Sequence, residues 1–554
     1  MLATLIIWSY TGLLLFSYGR AATHIFQYVF GKNSDEEVSL PFVLLIGLVV
    51  LTVFASILNV FIPLGAASAV IFLAGGVFGW LASRRQVFVL QTPRHPLTWI
   101  LLAFIALTVL ENATHPPSSS DTALYHAQTI RWFETYQAVP GLGNLHHRLA
   151  FNSSWLVINA AFSFAFLGVQ SFHLMSGILF LCSMLYFTEG LETLIAKKRT
   201  TSAILKVLLL PLSFYLLSSD ISSPATDMPV TLLTWVILVL WVEELETGGR
   251  PGIRIIGVFI LSFFTLTIKL SAIPLLGFAG FILTLYIFER QWQKVLLLGL
   301  AGMVILLPWI VRSVILSGYL VFPVTQIDFF PVDWKIPIDQ VESIRDAIFN
   351  FARFPGKDWR SMAGTPFREW VSLWFARQTI NQQIVFLLAV ISPLILLTAR
   401  YKYTSIVAGR YILAHFILYA GVIFWFFSAP DLRFGYGFLI GVCILAITPF
   451  LASLMAKIDK DSKFIPQTIF VTLFVFQLYV ITFSTDTQTL KQRLVLPADY
   501  FRSRAQPCAI ANGSVFCRVD EGQCNYEIFP CIPTSRPNVE MRGPTFHDGF
   551  RVVR

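Results

Sequence analysis

Runs of about 20 apolar residues succeed one another almost from end to end of this 554-residue chain, and that repetition limits the fold more than any other feature. A helical run of that length crosses the roughly 30 Å hydrocarbon core of a bilayer. Backbone groups in lipid need partners inside the protein, which leaves helices or closed barrels, and these runs are too long and too apolar for barrel strands. Only 13% of the residues are charged, about half the share usual in a soluble domain. The reading is an all-α integral membrane protein with about 14 transmembrane helices.

Apolar runs and the breaks between them place spans at 1–19, 40–62, 64–82, 97–111, 172–194, 203–219, 228–245, 253–269, 271–289, 293–312, 380–399, 408–428, 434–455 and 464–484. With 113–171 outside, the short loops on the other face carry Arg20 and Lys32; Arg84, Arg85 and Arg94; Lys197, Lys198 and Arg199; Arg250 and Arg254; Arg290 and Lys294; Arg400, Lys402 and Arg410; and Lys457, Lys460 and Lys463. Basic short loops mark the cytoplasmic face. The net charge of +9 is then mostly an orientation signal beside anionic lipid, not a nucleic-acid footprint. The first run has no charge before it and gains Arg20 after it, the reverse of a signal peptide, so it reads as a retained span with the N-terminus outside. An even number of spans puts the C-terminus outside as well.

Three polar segments stand on the outer face: 112–171, 313–379 and the tail from 485. In the first, Leu124, Ile130 and Phe133, then Trp155, Ile158, Phe162 and Phe166, recur at helical spacing beside polar positions, a pattern of amphipathic juxtamembrane helices that lie along the membrane, pack as lids on the bundle, or both. The second is rich in proline and aromatics and reads as an ordered loop. The tail holds Cys508, Cys517, Cys524 and Cys531. Two disulfides, with three pairings open, suit an oxidising compartment, and zinc is the alternative although no C-x2-C pair is present.

Ionisable groups at the membrane boundary are costly and concentrate where function is. On the outer side they are Asp121, Tyr125, His126, Arg131, His146, His147 and Arg148; Asp220 and Asp227 in SSDISSPATDMP; Lys269 in LTIKLSAIP; Arg312 in LPWIVRSVILSGY; and Asp431 and Arg433 in SAPDLRFGYG. Carboxylates and fixed cations therefore converge on one face from distant parts of the chain. Such a set suits group transfer from a lipid-linked phosphate, in which a carboxylate takes a hydroxyl proton while Lys or Arg neutralises the departing phosphate. No P-loop or dinucleotide fingerprint is evident, so the donor arrives activated. Each group also has a plainer role. Asp121 after SSS and Asp227 before Pro229 fit helix caps, Lys269 fits a snorkelling cation, Arg312 an interfacial anchor, Arg433 a partner of Asp431, and His126 an ordinary satisfied side chain.

With SSSDTALYH and SSPATDMP in these places, the chain resembles the GT-C class of polytopic glycosyltransferases, which includes protein mannosyltransferases and the lipid A aminoarabinose transferases. SGYLVFP and APDLRFGYG resemble segments of large bacterial membrane proteins grouped with that class. The resemblance covers about 97–455 and implies a catalytic core there, preceded by additional spans in 1–96 and followed by a last span in 456–484 and an outer Cys-containing segment in 485–554. It implies a polyprenyl-phosphate-linked sugar donor, a glycan, lipid or protein acceptor outside a bacterial inner membrane, and inversion by a single displacement. Asp121 is then the general base; Lys269, Arg312 and Arg433 bind the donor phosphate; and Tyr125, His126, Arg148, Asp227 and Asp431 touch substrate. Many members carry paired acids in the first loop, whereas Asp121 is followed by Thr122, so metal ligands stay unassigned, no cofactor is certain and a divalent cation is left open. Three spans also precede the expected first one. The rival readings are a flippase for lipid-linked sugars and a ligase or polymerase of preassembled glycans.

Overall fold

The computed structural model describes residues 1–30, 38–84, 90–91, 93–247, 252–354, 360, 362, 364–398, 405–458, 464–484, 487–519 and 523–553. Of the basic loop residues, Lys32, Arg85, Arg250, Arg400, Lys402, Lys460 and Lys463 lie outside that set.

The first four helices are α1 (Leu2–Phe30), α2 (Leu40–Phe61), α3 (Ala66–Ser83) and α4 (Pro96–Ala113). The first loop then holds α5 (Ala127–Thr135), α6 (Leu142–Leu145) and α7 (Ser154–Ala161). The central bundle follows as α8 (Met175–Ile195), α9 (Thr201–Leu217), α10 (Asp227–Thr247), α11 (Ile253–Ile268), α12 (Leu276–Phe288) and α13 (Trp292–Ser317). Beyond it come α14 (Ile338–Arg353), α15 (Phe367–Arg377), α16 (Ile380–Thr398), α17 (Ser405–Ser428), α18 (Leu432–Ile458), α19 (Phe464–Ser484) and α20 (Thr487–Arg493).

Among the described residues, 13 helices are long and apolar enough to cross a membrane. The expected span at 253–269 is the difference from about 14: α11 has 16 residues, about 24 Å at 1.5 Å per residue, and stops where Lys269 turns extended (φ −155°, ψ 134°). Helix α1 runs on to Phe30 rather than ending near residue 19, because Arg20 is not a loop charge. Its guanidinium donates to the Ser83 carbonyl at 2.9 Å and lies over Trp80.

Helix α10 is apolar all round and buried along nearly its whole length, as such a helix must be. It touches α8, α9, α11, α17 and α18. Helices α1 and α2 approach until their backbones touch: a methyl at Gly19 would sit 1.9 Å from the Val43 carbonyl oxygen, and one at Gly47 1.9 Å from that of Leu15. Only glycine permits that crossing.

The first loop is a lid on the bundle. All eight residues of α7 are buried, and α5 is packed between the bundle and the C-terminal tail. The tail forms β3 (Ala505–Ile510), β4 (Gly513–Arg518) and β5 (Cys531–Ile532) in one sheet and β6 (Val539–Met541) with β7 (Phe550–Val552) in another; β1 (Val38–Ser39) and β2 (Leu90–Gln91) pair elsewhere. Of the three pairings open from sequence, Cys508–Cys517 and Cys524–Cys531 form, so zinc is not what these cysteines hold. The Met1 amine donates to the Arg493 carbonyl at 2.6 Å, and Ala498 N–H to the Thr114 carbonyl at 2.9 Å. Both termini therefore share the end of the bundle that carries the first loop.

A charged cluster at one end of the bundle

The serine triplet before Asp121 does not make that aspartate a helix cap. Asp121 already has helical dihedrals and makes no capping bond. The serines instead lace the loop to the turn after α9: Ser118 Oγ donates to the Ser219 carbonyl at 2.5 Å, Ser119 N–H to Ser223 Oγ at 3.0 Å, and Ser222 Oγ to the Pro116 carbonyl at 3.1 Å. That stitching carries Asp121 toward the start of α10. Residues Thr122–His126 form a π-helical turn, a local distortion that recurs at functional sites.

Four further segments deliver the rest. Asp227 opens α10, where a carboxylate is favoured by the helix dipole. Lys269 occupies the break after α11, fixed by Ser153 Oγ donating to the Ile268 carbonyl at 2.8 Å. The turn before α18 is held by Trp374 Nε1 on the Pro430 carbonyl and Trp425 Nε1 on that of Asp431, both at 2.7 Å. That turn presents Asp431 and Arg433. Arg148 comes from the short helical turn after α6.

The result is three acids and three fixed cations. Arg148 NH1 lies 3.4 Å from Asp121 Oδ1, and Arg433 NH2 3.3 Å from Asp121 Oδ2. Arg433 Nε also reaches Asp431 at 3.2 Å and Asp227 at 3.8 Å. Lys269 pairs with the other oxygen of Asp227, its ammonium 3.4 Å from the centre of the Phe434 ring. Asp220 is within electrostatic reach of Asp227 and Arg433. The side chains are partly open, from 10% for Asp227 to 34% for Arg433. The cluster is thus anchored yet reachable.

Burial works against ionised Asp121, but His126, Arg433, Arg148 and Lys269 outweigh it and hold the carboxyl below its usual range. Asp431 goes the other way, raised by burial and by Asp227 against the pull of Arg433. Tyr125 lies under Arg148, whose guanidinium carbon is 5.7 Å from its ring centre. Burial first and then Asp121 raise its phenol, so it stays a proton donor. His126 is almost wholly buried, with Nδ1 3.4 Å from Thr122 Oγ1, and burial lowers its pKa to about 4. The imidazole is therefore neutral at neutral pH, and its positive charge bears on Asp121 only in the acid range where both titrate.

Arg312 departs from the expectation of a phosphate ligand. Because α13 continues to Ser317, Arg312 lies inside the helix, 1% exposed. It donates from NH1 to Asn59 Oδ1 at 2.5 Å and from Nε to Asn152 Oδ1 at 3.3 Å, with Phe133 against its face. Arg131 is also turned elsewhere, donating to the Tyr526 and Glu527 carbonyls of the tail. His146 and His147 do not face each other as a ligand pair: His147 Nε2 meets Gln340 Oε1 at 2.8 Å. Burial, then neighbouring cations, lower both. Among the described residues no three His, Cys, Asp or Glu are grouped to hold a metal ion.

Sequence reasoning missed a second ionic cluster at the opposite end. Lys206 Nζ sits 2.7 Å from Glu189 and 2.6 Å from Glu243, Tyr186 donates to Glu243 at 2.7 Å, and Arg254 Nε lies 3.6 Å away from it. The signal was present in AILKVLLLPL, a lysine within an apolar run.

Thirteen candidate spanning helices with a partly open ionic cluster at one end define a multi-pass membrane protein. Residues 1–440 match the family described as "Domain of unknown function (DUF8201)", and the chain belongs to that family. No curated protein matches it. Among solved structures it is similar to ArnT from Cupriavidus metallidurans bound to undecaprenyl phosphate, at 13% identity over 64% of this chain and 78% of that one, with a TM-score of 0.26. An overlay that loose transfers no residue role.

Proposed function

We propose that this protein is a membrane glycosyltransferase that moves a sugar from a polyprenyl-phosphate donor to a hydroxyl acceptor, on the outer side of a bacterial inner membrane. The observation that carries the reading is Asp121, an ionised, 20% exposed carboxylate flanked by two guanidiniums that are themselves partly open. The acceptor O–H gives its proton to Asp121 as its oxygen attacks the anomeric carbon. The bond from that carbon to the phosphate oxygen breaks, its electron pair leaves with the phosphate, and Lys269 and Arg433 neutralise it. One displacement inverts the anomeric centre.

Arg312 has no part in this scheme, and the positions of Lys269 and Arg433 at helix ends let a headgroup reach them from the lipid. A carboxylate held below its usual range is a weak base. Donor binding corrects that, because a phosphate beside Arg433 offsets the charge that depresses Asp121. The base thus strengthens when the donor is in place.

The test is the purified Asp121→Asn protein in lipid nanodiscs with polyprenyl-phosphate sugars. Loss of transfer by about 10²- to 10⁴-fold is expected, with the melting temperature little changed. Transfer at the wild-type rate removes Asp121 as the base.

A further inference from the structure

Helices α9 and α16 each run along α18, and among the described residues they do not pack along one another. They meet at their outer ends, where Asn381 Nδ2 donates to the Tyr215 hydroxyl oxygen at 3.1 Å. Both side chains are exposed, Tyr215 at 65%. A tyrosine at the membrane boundary is ordinary, but this one is bonded across to a second helix. Each partner is also tied to one side of the charged cluster. Four residues after Tyr215, the Ser219 carbonyl accepts from Ser118 Oγ, three residues before Asp121. On the other side, Gln383 Nε2 donates to the Phe375 and Gln378 carbonyls at 3.0 and 3.2 Å, which fixes the start of α16 on the end of α15. That end of α15 carries Trp374, whose Nε1 holds the Pro430 carbonyl beside Asp431. Arg433 stands in the first turn of α18, the helix on which α9 and α16 both pack. The Tyr215–Asn381 bond therefore lies across the gap that leads from lipid to Arg433.

That gap suits an anionic headgroup on a hydrocarbon tail. No charged residue occurs in 211–219 or 378–398, so neither helix places a carboxylate in the path of an anion. The groups at the mouth, a phenol O–H and an amide NH2, are hydrogen-bond donors. Below Asn381, Ile384, Leu387, Ile391 and Leu394 are exposed at helical spacing along α16, an apolar wall against which a polyprenyl chain stays in lipid. Parting the Tyr215–Asn381 bond turns both donors toward a phosphate at the boundary where headgroups lie.

We propose that the outer end of the gap between α9 and α16 is the docking surface and lateral entrance for a lipid phosphate, with Tyr215 and Asn381 as its first hydrogen-bond donors on the way to Arg433. The identity of the ligand rests on the transfer reading above, whereas the place of the entrance rests on how the two helices flank α18.

The experiment bridges the entrance shut. Cys182 and Cys443 are buried and the four tail cysteines are paired, so Tyr215→Cys with Asn381→Cys supplies an exposed pair that a short bismaleimide can join. The full chain in nanodiscs is mixed with vesicles that carry undecaprenyl phosphate, and the bound lipid is followed in time by native mass spectrometry. Isopentenyl phosphate, short enough to arrive from water, is the second probe. Bridging should slow loading of undecaprenyl phosphate by at least about tenfold and leave binding of isopentenyl phosphate as it was. Asn381→Trp, which fills the mouth without added cysteines, should slow loading in the same sense. Equal loading before and after bridging, or unslowed loading by a folded Asn381→Trp protein, overturns the entrance and leaves the transfer reading standing. Loss of both probes on bridging also overturns it, because the bridge then acts by distorting the cluster. Undecaprenyl phosphate that never binds the unbridged protein overturns the donor class, and the entrance with it.

Discussion

Two ionic clusters sit at opposite ends of the same helices, and they are built differently. Asp227 and Glu243 are both on α10, sixteen residues and therefore about 24 Å apart. At the Glu243 end, one ammonium is held by two carboxylates at 2.6 and 2.7 Å and is itself 4% exposed. At the Asp227 end, one guanidinium is spread over three carboxylates at 3.2 to 3.8 Å and is 34% exposed. Lys269–Asp227 is the close pair of the open cluster. The first arrangement is closed around a buried ammonium, which fastens α8, α9 and α10. The second keeps capacity in reserve, and its geometry is imposed from outside by serine lacing, two tryptophans and the tail.

The largest expected effect breaks that comparison outright. Lys206→Met takes the shared ammonium from two buried carboxylates, leaving Glu189 without its cation and Glu243 with only Tyr186 and Arg254. It should cost about 3 to 5 kcal/mol, read as a lowered melting temperature and a poor yield of folded protein. Arg433→Met removes an equally charged group from the open cluster. It should cost under about 1 kcal/mol while weakening binding of polyprenyl phosphate by roughly tenfold or more. If both variants lose stability alike, the open cluster is a second staple and not a site.

The next effect tests whether the open cluster is braced by the tail. Gln128 Nε2 donates to the Asn525 and Ile528 carbonyls at 2.8 Å, and its Oε1 accepts from Cys531 N–H at 3.0 Å, so the loop closed by Cys524–Cys531 is held on the helix that follows Asp121. Cys524→Ser with Cys531→Ser should cost about 2 to 3 kcal/mol on loop-entropy grounds. Hydrogen exchange at residues 122–135 should rise, while exchange around Lys206 stays as it was. Protection unchanged at both ends would show that the tail merely rests on the lid.

How legible each cluster was in the sequence follows from the same contrast. Asp227, Lys269, Asp431 and Arg433 stand at the ends of apolar runs, and Asp121 and Arg148 lie in the polar segment between two such runs, so their shared end could be read from the run boundaries. Arg312 looked equivalent, but a boundary drawn five residues early hid that it is within α13. Its partners Asn59 and Asn152 carry no charge and gave no signal. Lys206 was overlooked because its two glutamates lie 17 residues before and 37 after it, a spacing that no local pattern reveals. The tail's cysteines announced disulfides, but docking onto Gln128, Arg131 and Trp132 depends on tertiary complementarity that periodicity does not encode.

The smallest effect is a displacement on the pH axis, and it bears most directly on how the open cluster works. Asp121 is depressed in the free protein, so it is ionised at every pH above its lowered value. The acid limb of kcat/KM, which reports the free enzyme, should therefore fall below the ordinary carboxylate range of about 4. The limb of kcat reports the donor complex, where the phosphate offsets Arg433, and should lie higher by a fraction of a unit to about one unit, each unit being about 1.4 kcal/mol. His126, at about 4, titrates close to the kcat/KM limb and is neutral at higher pH. Asp431→Asn should shift neither limb by as much as donor binding does, since Asp431 acts on Asp121 only through Arg433. Coincident limbs would mean that no anion enters the cluster during turnover, and a limb near 6 or 7 would assign the proton to a group other than Asp121.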